Sequence, residues 1–360
     1  MKKRLFTAVL TALLCLSACD EVYEFPDEVQ SEVRAVPDAP YLPRDYSQCS
    51  DTEKAAYLEL REAVNSCADS FAVPADVSDK VLLSLMREDP LIFNVTYTWN
   101  ESANGAPTMY FVYTVPADVN ARMQAKLIET VEQNAERAQG LDTYTKLLFY
   151  HNTIINTANP DENTDVSESN PYTCMVKRNG SKMAYAKVFS MFCEYGGIET
   201  DIVSGNSLDP EDTDIYTWNR VNIDGTYYNI DTWSDDINGR TPLNFHRYFC
   251  RSDSYMARTN DSSYPADDDS LNFYDVNGLV VTDTKSFYEL FNQRAKWAVS
   301  NGSNNFELSF SSKALLENTV ENKELLLDAV YRFNQDMGEL TKKYDFRNYE
   351  EKGLCVWFYM

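Results

Sequence analysis

The sequence predicts an α+β fold in which helices pack on an antiparallel sheet, and three patterns carry that expectation. Asp224-Gly225 separates two β-rich runs, Ile215 to Ile223 and Thr226 to Asp231, the strongest short-range hairpin signal a sequence offers. Met183, Tyr185, Val188, Phe189 and Phe192 form an apolar helical stripe that Gly196-Gly197 stops. Tyr144, Leu148, His151 and Ile155 form a second stripe, behind the capping residue Asp142.

At the N-terminus, Lys2, Lys3 and Arg4 precede an apolar and small-residue run from Leu5 to Leu16. This is the order of a secretory signal, and the run is too short to span a bilayer. It ends in Leu16-Ser17-Ala18-Cys19, which resembles the bacterial lipobox. Residues 1–18 are therefore expected to be a lipoprotein signal peptide, with Cys19 lipidated and exposed as the new N-terminus. No later segment reads as a transmembrane helix, so the lipid is the expected anchor to the outer face of a bacterial membrane. Residues 19–48 are acidic and carry Pro26, Pro37, Pro40 and Pro43, the composition of a tether.

The formal charge is -24, and losing the basic signal segment makes the body more acidic still. Such a chain lacks the footprint of a nucleic-acid binder, and its field opposes adhesion to an anionic bilayer. With 44% hydrophobic residues it can still bury a substantial core. Beyond Cys15 and Cys19, six cysteines remain: Cys49, Cys67, Cys174, Cys193, Cys250 and Cys355. An even number in an exported protein permits disulfides, whose pairing the sequence does not rank. The absence of a CxxC motif and a total of 2 His argue against a zinc site, and no cofactor is expected.

Residues 49–118 read as a helix and hairpin extension. Ala56, Leu58, Leu60 and Val64 mark a helix beginning near Asp51, and Leu91 to Tyr97 and Thr108 to Thr114 are β-rich runs joined by a long loop. Residues 119–277 form the expected core. Its first helix carries Met123, Leu127 and Val131 and ends at Gly140; the two stripes above supply the next helices, followed by a strand from Ile198 to Val203. If Asp224-Gly225 is the two-residue turn, Ile223 opposes Thr226 and Trp218 opposes Asp231, which puts Tyr216 on the face of Asp231. Residues 278–360 read as a smaller α+β extension: a helix around Ser286 to Phe291, a strand from Asn305 to Phe310, a helix through Leu325, Leu326, Ala329, Val330 and Phe333, and a closing strand at Val356 to Tyr359.

One stretch of about 60 residues is more specific. Lys182-Met183-Ala184-Tyr185-Ala186, Tyr216-Thr217-Trp218-Asn219, Ile223-Asp224-Gly225, Tyr227-Tyr228-Asn229-Ile230-Asp231 and Thr232-Trp233 follow one another in order. Together they resemble the C-x-G-Y-A, H-A-W-N, I-D-G, W-Y-x-V-D and T-W elements of bacterial transglutaminase-like domains, relatives of the papain-type cysteine proteases. The helix pair upstream and Glu88-Asp89-Pro90-Leu91-Ile92-Phe93 look like extended members, so the resemblance is expected to run from Cys49 to Met360. It implies a papain/transglutaminase-like core and a Cys, His and Asp catalytic set.

Here the set is degenerate: Lys182 stands at the Cys position, Tyr216 at the His position, and only Asp231 matches. The chemistry needs a thiolate, favoured by a helix N-terminus and a neighbouring imidazolium, and a carboxylate to orient that ring. Lysine would have to lose its proton to attack, and tyrosine, with a pKa of about 10, is a poor base at neutral pH. No catalytic residue is therefore expected. A polar cluster of Lys182, Tyr216 and Asp231 is expected instead, the carboxylate offsetting the ammonium at the helix start.

A rescue from elsewhere is restricted. Cys193 lies about 16 Å along the helix from Lys182. Cys174 with His246 is the sharpest enzymatic alternative, although His246 and His151 each read first as packed core residues. Asp161-Glu162-Asn163-Thr164-Asp165 begins like a calcium loop, but Val166 and Tyr172 stand where Gly and Glu are needed, and Asp267-Asp268-Asp269 has no metal-binding continuation. The leading expectation is a pseudoenzyme that binds a peptide, protein or cell-wall polymer through the old cleft, using Trp218, Asn219, Tyr185 and Trp233. The alternatives are an active cysteine peptidase or transglutaminase with a displaced nucleophile, and a purely structural envelope lipoprotein.

Overall fold

The computed structural model describes residues 41–100, 107–162, 170–236, 245–338 and 344–359. The expected signal segment, Cys19, the expected tether up to residue 40, the expected hairpin loop at 101–106 and residues 163–169 of the calcium-like stretch lie outside them. The protein is mixed α+β with antiparallel sheets. It divides into two compact units, a larger one up to Asn244 plus Arg251–Asp268 and a smaller one made of Phe245–Cys250 and Asp269 onward. Among the described residues, no helix is long and apolar enough to cross a membrane.

In the larger unit, helix α1 (Asp51–Asn65) opens on a capping box in which Ser50 and Glu53 satisfy each other's backbone N–H. Its Ala56, Tyr57, Leu60 and Val64 are buried, whereas Leu58, expected on the same stripe, faces outward. Strands β1 (Ser70–Ala72), β2 (Val95–Asn100) and β3 (Thr108–Tyr113) form an antiparallel sheet in the order β1-β3-β2, and helix α2 (Asp79–Glu88) packs with α1. Tyr57, Leu60, Leu82, Leu85 and Met109 share its core. Leu91 to Phe93 are buried but form a turn, not the expected strand. The carboxylate of Asp89 accepts the Leu91 N–H at 2.7 Å, the Tyr57 hydroxyl and Arg61 Nη2 at 3.4 Å, lies 2.8 Å from Arg61 Nε in an ion pair, and so turns the chain before β2 begins.

Helix α3 (Ala117–Glu136) is followed by Gly140 at φ 81°, and Asp142 caps helix α4 (Thr143–Thr157) by accepting the Thr145 N–H at 3.0 Å. A π-helical turn at Thr173–Lys177 leads to helix α5 (Lys182–Tyr195). Strands β4 (Thr200–Asn206), β5 (Ile215–Ile223) and β6 (Thr226–Ile230) are antiparallel with β5 between the other two, and α5 packs on β4 and β5. The turn is the two-residue one: Asp224 and Gly225 have φ of 52° and 89°, and Ile223 pairs with Thr226. The ladder ends at Asn219↔Ile230, one pair short of the expected Trp218 and Asp231, because Asp231 leaves the strand to cap helix α6 (Thr232–Asp235).

A segment from Ala257 to Asp261 straps the edge of β4. Thr259 N–H donates to Asn206 O at 2.9 Å and Asp261 N–H to Ser204 O at 3.2 Å. Gly205 makes the approach possible, since a Cβ there would lie 1.7 Å from Thr259 O. All six described cysteines are free thiols, so the permitted disulfides are not formed.

In the smaller unit, strands β7 (Val280–Val281), β8 (Asn305–Phe310), β9 (Asn348–Lys352) and β10 (Cys355–Tyr359) lie in the order β9-β10-β8-β7. The β7 and β8 pair is parallel, which the sequence reading did not foresee. Helices α7 (Thr284–Ser300) and α8 (Lys323–Asp336) pack on each other, with Phe287, Phe291, Phe306 and Phe358 in the core. His246 belongs to this unit and is a packed residue. Its ring stacks 3.8 Å from that of Phe273, and its Nδ1 meets Glu307 Oε1 at 2.5 Å.

Candidate functional site

Lys182, Tyr216 and Asp231 do come together, in the larger unit, where the start of α5 meets the open end of the β5 and β6 hairpin. Ser181 caps α5, its hydroxyl accepting the Ala184 N–H, and places Lys182 on the first turn. The Lys182 ammonium lies 4.5 Å from the centre of the Tyr216 ring and 4.9 Å from that of Trp233. It does not pair with Asp231. It donates to Asp214 Oδ2 at 2.9 Å and to Ile215 O at 3.4 Å, so the ammonium at the helix start is offset by a different carboxylate from the one expected. The Tyr216 hydroxyl donates to Asp212 Oδ2 at 2.8 Å. Burial first, and then that carboxylate, push the phenol up to about 12, further from any use as a base at neutral pH.

Asp231 has its own partners. Its carboxylate accepts Arg258 Nη1 at 2.5 Å, Ser234 N–H at 2.9 Å and the Ser234 hydroxyl at 2.6 Å. The Arg258 guanidinium stacks 3.8 Å from the Tyr216 ring, so two cations touch one phenol. Sequence reasoning missed Arg258, which reaches the site only because the strap passes over Gly205. The short stretch from Asp231 to Asp236 holds two further buried carboxylates: Asp235 meets His151 Nε2 at 3.1 Å and Asp236 accepts the Tyr185 hydroxyl at 2.6 Å. His151 is thus a packed, hydrogen-bonded core residue, as its stripe indicated.

Three of the expected cleft-binding residues are not at a surface. Trp218, Asn219 and Tyr185 are each 1% exposed. The Trp218 indole donates to Asn229 Oδ1 at 2.9 Å, and the Asn219 amide donates to Ala186 O at 3.0 Å, tying α5 to β5. Alternation along β5 does not sort inside from outside, because this central strand is covered on both faces. Trp233 is the one of the four that is not buried. It is half-buried beside Lys182, and its indole N–H has no acceptor among the described residues.

Cys174 is fully buried, and burial first, then the charge of Asp236, push its thiol well above the ordinary range. Burial does the same to Cys193. His246 falls in the other compact unit from Cys174. Asp268 accepts the Tyr228 hydroxyl at 3.0 Å, and no group of His, Cys, Asp or Glu among the described residues is arranged to hold a metal ion.

No family model matches the chain, and no curated protein matches its sequence. Among solved structures it is distantly similar to a candidate cysteine protease from Cytophaga hutchinsonii, at 14% identity and a TM-score of 0.26 over 39% of this chain and 62% of that one. It is similar to a TGase at 12% identity and a TM-score of 0.27, over 51% of this chain and 49% of that one. A candidate protease from Parabacteroides distasonis gives 12% identity and a TM-score of 0.19, over 37% of this chain and 35% of that one. The chain thus spans less than two thirds of each, and likeness at these scores carries no argument about chemistry.

Proposed function

We propose that this chain is a lipid-anchored, non-catalytic binding protein that holds a peptide, protein or cell-wall polymer beside Lys182, Tyr216 and Trp233. One observation carries the reading: the places where a transglutaminase-like domain needs a thiol and an imidazole hold an ammonium packed on two aromatic rings, and each group is already paired with a carboxylate. Tyr216 is held further from use as a base at neutral pH, and Asp231 is spoken for by Arg258. A partly exposed cation on an aromatic surface remains a good place to grip a ligand. The burial of Cys174 speaks against a displaced nucleophile.

The test is a panel of short peptides and wall glycopeptide fragments titrated against the mature protein. Trp233→Ala is expected to weaken any bound member by about tenfold or more, since an aromatic anchor contributes roughly 2 kcal/mol. Hydrolysis or acyl transfer that disappears in Cys174→Ser or His246→Ala would overturn the proposal. For the anchor, Cys19→Ala is expected to release the protein from the membrane fraction or leave it unprocessed, because the acidic body has no electrostatic hold on an anionic bilayer. Retention of a cleaved, unlipidated form would rule the anchor out.

A further inference from the structure

We infer that the loop from Leu208 to Asp214 is a built-in occupant of this site, and that the ligand it stands in for is a peptide bearing carboxylates at positions i and i+2. The inference rests on the binding reading above and names its ligand class. One short stretch of chain satisfies both donors at the degenerate positions. Asp214 takes the Lys182 ammonium at 2.9 Å, and Asp212 takes the Tyr216 hydroxyl at 2.8 Å. The next backbone carbonyl, that of Ile215, is a second acceptor for Lys182 at 3.4 Å. Side-chain carboxylate, side-chain carboxylate and main-chain carbonyl in sequence are what an acidic peptide would present.

The loop is shaped from within, so it offers these groups as a unit. Asp209 N–H donates to Ser207 Oγ at 3.1 Å, Glu211 N–H to Asp209 Oδ1 at 3.0 Å, and Asp214 N–H to Asp212 Oδ1 at 3.1 Å. The Tyr216 hydroxyl and then the Asp214 amide hold the Asp212 carboxyl below its usual range, so it is charged at neutral pH. The contact is also displaceable. The Asp214 side chain is 56% exposed against 18% for Lys182, and a pair open to solvent in this way is weakly held. Leu208 and Ile215, at either end of the loop, are exposed. The Trp233 indole N–H is a donor that the loop leaves unsatisfied.

A tethered occupant competes at an effective concentration in the millimolar range, so the native protein should bind a free acidic peptide weakly. The probe is a synthetic, end-blocked copy of residues 209–215. The variant Asp212→Asn/Asp214→Asn keeps the internal turns, since asparagine accepts the same backbone N–H groups, but removes the competing charges. Calorimetry is expected to show the probe binding this variant about tenfold or more tightly than the native protein. A probe with Asn or Gln at all four acidic positions, 209, 211, 212 and 214, should gain nothing. Asp69→Asn/Asp76→Asn, which removes two exposed charges elsewhere, should also gain nothing, separating displacement from a general drop in repulsion.

A second readout needs no ligand. Acylation of Lys182 by an amine reagent, followed by mass spectrometry, should rise severalfold in the loop variant and stay level in the charge control. Unchanged Lys182 labelling would overturn the occupant. Raised labelling with equal affinity for the acidic and the neutral probes, or with none for either, would overturn the ligand class. The binding reading itself stands or falls separately, on the ligand panel and Trp233→Ala.

Discussion

Two charged clusters in the larger unit, one around Lys182 and one around Asp89, use similar chemistry to opposite ends. Asp89 is fully buried, and Tyr57, Arg61 and the Leu91 amide fill its acceptor positions. Lys187 is buried on the facing helix α5 with one acceptor, Ile92 O at 3.2 Å. Around Lys182, by contrast, the ammonium meets a half-exposed carboxylate on a loop and two aromatic rings. A buried charge with fixed partners can specify a turn but cannot respond to anything outside. A rim charge with an exchangeable partner contributes little to stability and is available for recognition.

Substitutions can break or sharpen this contrast. Asp89→Ala should be the most damaging, at about 3–5 kcal/mol by denaturant unfolding, because it strands the Arg61 guanidinium and the Tyr57 hydroxyl out of water. A loss below about 1 kcal/mol would show that the cluster is not closed. Gly205→Ala forces the strap away from β4 and should destabilise by about 1–3 kcal/mol. It should also raise the acylation of Lys182, since Arg258 supports the ring on which the ammonium rests.

Lys187→Met should stabilise by roughly 1 kcal/mol at pH 7, because burial holds that ammonium down, to about 8. The sign follows from proton counting. Between pH 8 and the unfolded value of about 10.4 the native state has released a proton that the unfolded state keeps, so native stability gains with rising pH. The difference between native and Lys187→Met unfolding energies should therefore shrink over that window; a constant difference would place the amine in water. Lys182→Met should have the smallest effect on stability, within about 1 kcal/mol, while losing whatever the site binds.

Much of this was legible, and the failures have physical causes. The hairpin register followed from Asp224-Gly225, because only residues tolerant of positive φ fit that turn. Lys182 and Tyr216 were located by the ordered motifs that resemble those of transglutaminase-like domains. Arg258 was not, since it reaches Asp231 through an edge strap whose path depends on a missing side chain at Gly205, and no local pattern marks such an approach. Trp218 and Asn219 were assigned to a cleft because they sit in the stretch that resembles the H-A-W-N motif, but the middle of β5 is buried on both faces. Leu91 to Phe93 have strand composition, but the Asp89 carboxylate overrides propensity by offering the backbone a turn.

The three carboxylates between Asp231 and Asp236 also bear on how the molecule assembles. Their partners Arg258, Tyr185 and His151 are 27, 51 and 84 residues away along the chain. Each contact closes a loop whose entropy is lost before the contact can form, so the local bonds from Ser234 to Asp231 do not by themselves fix where this hexapeptide sits. It can settle only after α4, α5 and the strap have docked, and it cannot loosen without releasing all three. Its amides should exchange with solvent through the unfolding of the whole larger unit, with no local opening of their own. The site is therefore expected to form together with the body that holds it.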